Sequence, residues 1–332
     1  MSLQRADMKI LILTNMSIQS ASFRYRVHQY LDALTSTGME CRVMKSNSLG
    51  IRELLEIRRS DVVVIQKRLY PVLSVRSAGL TGCRIIYDFD DAVWTSPRGD
   101  RNWLTRERVE SRFRCVVKCA FTVIAGNSYL ASHVKKLGGT PVVIPTCIDT
   151  EYYHPVTSKL SSSEIRIGWI GSSPNHDYLR RLEGVFAELR KRHAFRLVVV
   201  SDSEYRSKTV ETEWYRWTSD TELDLIHSFD IGIMPLEYDA WTLGKCAFKA
   251  LLYMACGIPS VSSNVGMNAE VVTHGENGFL AATDEDWIEY LTILIEDTER
   301  RAVFGRTGRE LVEKHYSKEV GARKLIEVLR GN

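Results

Sequence analysis

No stretch of this chain approaches the roughly 18 consecutive apolar residues of a membrane-spanning helix. No basic-then-apolar leader precedes Met8, so nothing marks export. The seven cysteines, Cys41, Cys83, Cys115, Cys119, Cys147, Cys246 and Cys256, are odd in number and include no C-x-x-C pair. That argues against a disulfide scaffold and a zinc site, and for buried thiols in a reducing cytoplasm. Neither sign of charge dominates, since 44 Lys and Arg meet 41 Asp and Glu. Apolar residues at 44% and charged residues at 26% exclude a disordered chain or a fibre. There is no internal repeat beyond a doubling of the architecture. A nucleic-acid binder is disfavoured because no binding module or aromatic interleaving accompanies the basic residues. The 332 residues suffice for about two domains.

Residues 1–156 carry 22 Lys and Arg against 14 Asp and Glu, a net +8, and the remainder is a net −5. Such asymmetry suggests two domains with different partners, although uneven surface solvation produces the same arithmetic. Both halves alternate short apolar runs with amphipathic stretches. In the first, strands are expected at 9–14, 41–44, 61–65, 84–89, 121–124 and 141–145, with helices at about 24–37, 51–59, 101–119 and 128–136. A polar linker is expected at 146–164. Strands then recur at 165–170, 195–200, near 214–217, at 231–234 and at 259–262. Helices are expected at 177–192, 221–228, 247–256, 284–295, 299–315 and 318–329. The pattern predicts an α/β fold of two Rossmann-like domains, 1–156 and 157–317, with 318–332 as a final helix. Ligands should bind beyond the carboxyl ends of the strands, in a cleft between the domains.

The densest motif runs Gly244-Lys-Cys-Ala-Phe-Lys249, then Tyr253-Met-Ala-Cys-Gly-Ile-Pro259. A loop entering a helix N-terminus with Lys245 beside it suits a diphosphate, and Lys249 lies one turn further on. Two solvated surface lysines are the plainer alternative. Tyr87-Asp-Phe-Asp-Asp-Ala-Val-Trp94 follows a strand directly, placing Asp88, Asp90 and Asp91 to orient an acceptor hydroxyl. An acidic turn with an Asp helix cap is the competing role. Arg24 and Arg26 begin a helix, where cations are unfavourable and ask for an anionic partner. The cations Arg98, Arg101, Arg106, Arg108, Arg112, Arg114 and Lys118 lie among Trp103, Leu104 and Phe113. They suit either an anionic membrane surface or, more commonly, packing on the domain itself.

Together with Gly168-Trp-Ile-Gly-Ser172, Ser228-Phe-Asp-Ile-Gly-Ile-Met-Pro235, Val265-Gly-Met-Asn268, Glu270-Val-Val272 and Asn277-Gly-Phe-Leu280, the Gly244–Pro259 segment resembles the donor site of GT-B glycosyltransferases, most nearly the retaining family 4. The resemblance covers most of 165–320 and is looser before that. It implies two domains facing a cleft, with the last helix crossing back to the first. It implies metal-independent, retaining transfer of a sugar from a UDP- or GDP-sugar to a saccharide or lipid-linked acceptor, without a cofactor. Synthesis of cell-surface polysaccharide or glycoconjugate is the implied setting, at the cytoplasmic face of the membrane or in the cytoplasm. By the same carry-over, Lys245 neutralises the leaving diphosphate, with Gly244 beside it and Lys249 assisting. Gly171 and Ser172 admit the phosphates, and Ser201, Asp202 and Trp217 fall at the nucleoside pocket, where a Trp is more often core. Asp90 aligns with a residue that is often histidine in the family. Two family glutamates are replaced by Gly244 and Leu252, so Glu237, Asp239 or Glu270 is the candidate replacement carboxylate. Ser173-Pro-Asn-His176 replaces basic residues after the glycine loop, leaving His176 as the titratable cation there. A catalytically weak homologue that binds a nucleotide sugar or a partner enzyme is the alternative.

Overall fold

A computed structural model describes residues 8–96, 102–156 and 164–331. The chain divides into two compact units: Met1–Cys147 with Leu243–Cys246 and Lys318–Asn332, and Ile148–Thr242 with Ala247–Ser317. Of the expected linker, 157–163 lie outside the described residues, as do Arg98 and Arg101 of the basic segment.

The first unit holds six parallel strands: β1 (Met8–Thr14), β2 (Met39–Lys45), β3 (Val62–Gln66), β4 (Arg84–Phe89), β5 (Thr122–Ala125) and β6 (Pro141–Val143). Their order is β2-β1-β3-β4-β5-β6. Apolar runs such as Val62-Val-Val-Ile65 are buried throughout because a parallel sheet is covered on both faces. The last helix, Lys318–Arg330, belongs to this unit, as the resemblance implies. It places Ala322, Val328 and Leu329 in one core with Ile10, Tyr30 and Leu34. Gly321 permits the approach, since a Cβ there would fall 2.9 Å from Cys147 Sγ. Arg84 Nη2 ties the helix end down by donating to the Leu329 carbonyl at 2.8 Å.

The second unit repeats the plan with β7 (Ile165–Ile170), β8 (Phe195–Ser201), β9 (Thr212–Arg216), β10 (Ile231–Met234), β11 (Ser260–Ser263) and β12 (Gly278–Ala281). The order is β12-β11-β10-β7-β8-β9, again parallel. The chain turns from β7 toward β8 on one side and later to β10 on the other. Loops after β7 and β10 therefore diverge at the position where open α/β sheets receive ligands. Trp169, Phe186, Phe195, Phe279 and Trp287 fill the core.

Several elements differ from expectation. The helix expected over 24–37 is broken into Ala21–Arg26, a 3₁₀ turn His28–Tyr30, and Leu31–Ser36. The break is at Val27, whose φ of −127° and ψ of −65° leave the helical region. It lets Phe23, Tyr25, Arg26, Val27 and Tyr30 all be buried, more than one helical stripe allows. The expected 177–192 helix likewise divides into His176–Arg180 and Glu183–Arg190. Helix Val72–Gly79 and strand β12 lack strong periodicity, and the sequence pattern does not predict them.

The helices Phe248–Ala255 and Thr298–His315 pack together in the second unit. Gly257 ends the former at φ +69°, and a Cβ on Gly305 would stand 2.1 Å from the Gly257 carbonyl oxygen. Gly305→Ala should therefore destabilise the second unit by about 3 kcal/mol, the upper part of the usual overpacking range, because backbone rather than a side chain must yield. A urea midpoint equal to wild type would show that the helices separate freely.

Candidate active site

β3 and β4 are neighbours, with Gln66 opposite Asp88. The residues just past their ends, Lys67 and Asp90-Asp91, are thereby brought side by side. Lys67 Nζ pairs with Asp90 Oδ1 at 2.9 Å and with Asp91 Oδ2. Its backbone is left-handed, at φ +57°, which costs a non-glycine residue of order 1 kcal/mol. Two hydrogen bonds hold that conformation: Lys67 N–H donates to the Asp88 carbonyl at 2.7 Å, and Tyr87 Oη donates to the Lys67 carbonyl at 3.1 Å. Burial alone would raise the Asp90 pKa, but the charges of Lys67 and Arg26 outweigh it and hold the carboxyl at about 2. Burial would lower that of Lys67, yet the two carboxylates raise it above the ordinary lysine value.

Asp88 and Arg26 correct the sequence reading. Both are buried and engage each other, Arg26 Nε donating to Asp88 Oδ2 at 3.2 Å and Nη2 to Oδ1. Arg26 Nη1 also donates to the Ile144 carbonyl at 2.6 Å. The expected anionic partner of Arg26 is thus Asp88, and this pair supports the site from beneath rather than facing an acceptor. Arg24 is half-buried, its guanidinium 5.4 Å from the Tyr25 ring centroid.

Leu243–Cys246 lie in the first unit, whereas the sequence reading placed the whole motif in the second. Asn127 explains this. Its Nδ2 donates to the carbonyls of Leu243 at 3.1 Å and Lys245 at 3.0 Å, while its Oδ1 caps the following helix by accepting Leu130 N–H. Gly244 is required where it stands, because a Cβ would meet the Ala92 nitrogen at 2.7 Å. Lys245 Nζ donates to Asp91 Oδ1 at 3.2 Å. Cys246 Sγ donates to the Asp90 carbonyl at 3.2 Å, and burial pushes its thiol pKa up, so it stays protonated. The first unit therefore brings together Asp90, Asp91, Gly244 and Lys245, joined by Lys67, which sequence reasoning missed. A lysine immediately after a strand beside the Asp-bearing one was the available signal.

In the second unit Gly171 ends β7, and a Cβ on it would stand 2.8 Å from the Trp169 ring and 2.9 Å from Lys249 Cε. Lys249, in the first turn of Phe248–Ala255, holds its ammonium 5.4 Å from the Trp169 ring centroid. The loop and the helix start are thus adjacent. Ser172 is exposed and its Oγ accepts from Asn175 Nδ2 at 2.9 Å. Asp202 accepts Ser173 N–H at 2.6 Å and Oγ at 3.1 Å; although burial opposes it, these bonds keep its carboxyl below the usual range. Ser201 is buried, with Oγ 2.9 Å from His176 Nε2. His176 is itself buried, which lowers its pKa and keeps the imidazole neutral, so it does not replace the missing basic residues. Trp217 is half-buried and donates Nε1–H to Glu222 at 2.7 Å. Glu270 is exposed on helix Asn268–Val271. Glu237 pairs with Arg181, and Asp239 accepts the N–H groups of Trp241 and Thr242 at 2.7 Å. A cavity of about 500 Å³ beyond β10, β11 and β12 is lined by Tyr178, Arg181, Glu237, Tyr238, Asn264 and Trp287. Of the residues that the sequence suggests, Glu237 borders it, as do Pro235 and Val265 of the quoted motifs. Among the described residues no group of three or more His, Cys, Asp or Glu side chains is placed to hold a metal ion, and no helix is long and apolar enough to cross a membrane.

Residues 164–297 match the family model for glycosyl transferases group 1. Over 114 residues, 32% of the chain, the sequence is 34% identical to a GDP-mannose-dependent monoacylated alpha-(1-6)-phosphatidylinositol monomannoside mannosyltransferase of Corynebacterium glutamicum. Over 82 residues, 24% of the chain, it is 30% identical to spore coat protein SA of Bacillus subtilis. These matches span 29% and 22% of the two relatives' lengths. The structure superimposes on that of Anabaena HepE in complex with UDP with a TM-score of 0.73 at 17% identity, covering 98% of this chain and 100% of the other. Two parallel six-stranded sheets, the returning last helix and this superposition agree: the chain carries the GT-B glycosyltransferase fold, with the group 1 signature on residues 164–297.

Proposed function

We propose that this protein is a metal-independent glycosyltransferase. It moves a sugar from a nucleoside diphosphate sugar to a saccharide or lipid-linked acceptor, in synthesis of polysaccharide or glycoconjugate. The observation that carries this reading is the Lys245–Asp91–Lys67–Asp90 chain of charges, set at the carboxyl ends of adjacent strands, where such folds do their chemistry. The leaving group is a nucleoside diphosphate, and its developing charge needs a cation that is already in place. Lys245 supplies it. Within the second unit, Lys249, Gly171 and Ser172 are the candidates for phosphate contact. Ser201, Asp202 and Trp217 border the nucleoside, Gly244 shapes the Lys245 loop, and Glu270 serves the donor sugar. Asp90 and Asp91 orient the acceptor hydroxyl. UDP- and GDP-sugars are the donors to try first, since the names of HepE's complex and of the mannosyltransferase carry UDP and GDP-mannose. Transfer with retention follows from the resemblance of the Gly244–Pro259 segment. A cytoplasmic enzyme touching an anionic membrane is supported by Trp103, at 69% exposure, and Leu104, at 57%, beside exposed Arg106 and Arg108.

The test is a thermal-shift panel of UDP-, GDP- and ADP-sugars, followed by detection of nucleoside diphosphate release with saccharide acceptors. A donor at 100 times its Kd stabilises the native state by about 2.7 kcal/mol, a shift easily seen. If no donor shifts the melting temperature and none is consumed, the reading fails.

A further inference from the structure

We propose that Lys67 is a positioning residue that keeps Asp90 and Asp91 as a fixed pair of anions, so that Asp90 acts by charge and hydrogen-bond acceptance rather than by taking a proton. This rests on the glycosyltransferase reading for its catalytic consequence, but its electrostatic part stands on geometry alone.

Three features single Lys67 out. Its ammonium contacts one oxygen of each neighbouring carboxylate, Asp90 Oδ1 and Asp91 Oδ2. Its side chain is 19% exposed, and those of Asp90 and Asp91 are 14% and 17% exposed, so the contacts are made largely out of water, where they are strong. Its backbone sits at φ +57°, a conformation suited to Asn or Gly, and is fastened there by Asp88 and Tyr87. Strained backbone that persists in a non-glycine residue at such a place indicates that the side chain's position matters.

Among the described residues, the groups facing Asp90 come from several elements, the Ser22 hydroxyl included. Lys67 lies at the end of β3, Arg26 on helix Ala21–Arg26, and Asp88 and Asp91 on its own strand and turn; Cys246 donates its thiol to the Asp90 carbonyl. Lys245 reaches the cluster through Asp91. Among the described residues, Arg26, Lys67 and Lys245 thus balance Asp88, Asp90 and Asp91. Arg26 is committed to Asp88, and Lys245 is the cation proposed to serve the diphosphate. When Lys245 turns to a phosphate, Lys67 remains to hold both carboxylates in place. A carboxylate so held is a weak base, poorly matched to proton abstraction near neutral pH. It remains a good acceptor for the acceptor sugar's hydroxyl.

The test compares wild type with Lys67→Asn, Lys67→Met and Lys67→Arg. Asparagine removes the charge while suiting the left-handed backbone; methionine removes the charge and keeps the chain length. Carboxyl ¹³C NMR of aspartate-labelled protein, with the Asp90 signal assigned by its loss in Asp90→Asn, follows ionisation without any substrate. In wild type Asp90 should titrate below pH 3. In either neutral variant its midpoint should rise by about 1–2 pH units, the usual effect of losing one close opposite charge, and Lys67→Arg should keep it low. In assays the acid limb of kcat should move up by a similar amount in the neutral variants, while the donor KM changes less than about threefold. A wild-type Asp90 that titrates above pH 4, or a neutral variant with an unmoved midpoint, overturns the proposal. The first result needs no variant to fold. Loss of all activity in wild type with the expected NMR midpoints would count against the glycosyltransferase reading alone.

Discussion

Lys245→Ala should lower turnover by about 10²–10³-fold, the range seen when one preorganised charge stabiliser is removed from a reaction centre. Nucleoside diphosphate affinity should fall more than tenfold, since a charge-assisted phosphate contact contributes about 1.5–3 kcal/mol. The backbone around Lys245 is held independently of its side chain, by Asn127 on the Leu243 and Lys245 carbonyls and by Gly244 against Ala92. The variant should therefore fold, and the loss can be assigned to the ammonium. Asp91 gives a control of opposite sign. It shares the Lys245 ammonium at 3.2 Å, so Asp91→Asn weakens a competitor of the diphosphate and should leave its affinity equal or higher. Titration calorimetry with UDP and GDP decides both. Equal affinities in wild type and Lys245→Ala would remove Lys245 from the donor site.

Much of the architecture is written in local pattern. β4 is legible at Arg84–Phe89, and the helices Thr298–His315 and Lys318–Arg330 fall within a residue of expectation at each end. Apolar runs flanked by polar turns carry that information within a few residues. What local pattern lacks is the pairing of distant residues. Nothing between Ser20 and Thr37 reveals that Val27 leaves the helix, because the reason is the number of side chains the core of the first unit must accept there. His176 looks like a solvent-facing imidazole after a glycine loop; only the fold shows it buried against Ser201.

The candidate site was legible in the same partial way. Asp88, Asp90 and Asp91 stand out as carboxylates after a strand, but sequence gives them one role. The structure separates them, because β4 turns Asp88 toward buried Arg26 and its continuation turns Asp90 and Asp91 toward Lys67. Lys67 carries no motif. Its one trace along the chain is a lysine just past a strand; its importance comes from the register of β3 beside β4, which that trace alone does not give. Likewise the Gly244-Lys-Cys segment reads as continuous with the helix that follows, yet Asn127, 118 positions away from Lys245, assigns it to the first unit.

Asp90→Asn should lower kcat by about 10²–10³-fold, the range for removing one preorganised charge that orients a reacting group. Asparagine keeps the shape and one acceptor oxygen, so packing against Lys67 survives while the negative charge is lost. Asp90 carries no proposed donor contact, so nucleoside diphosphate affinity should change little. Stability should respond with a defined sign. The Asp90 pKa is about 2 in the folded chain and roughly 3.9 in an unfolded one. The wild-type carboxylate therefore contributes stability that is fully present above about pH 5 and lost as pH falls toward 2. Asp90→Asn lacks that contribution at every pH, so the difference in urea stability between the two proteins should be largest near neutrality and narrow below pH 4. The neutral amide also leaves Lys67 with Asp91 as its remaining carboxylate partner, which limits the loss to part of the network's energy. Turnover in Asp90→Asn equal to wild type, with the stability difference as described, would make Asp90 a structural anion and move the acceptor-orienting role to Asp91.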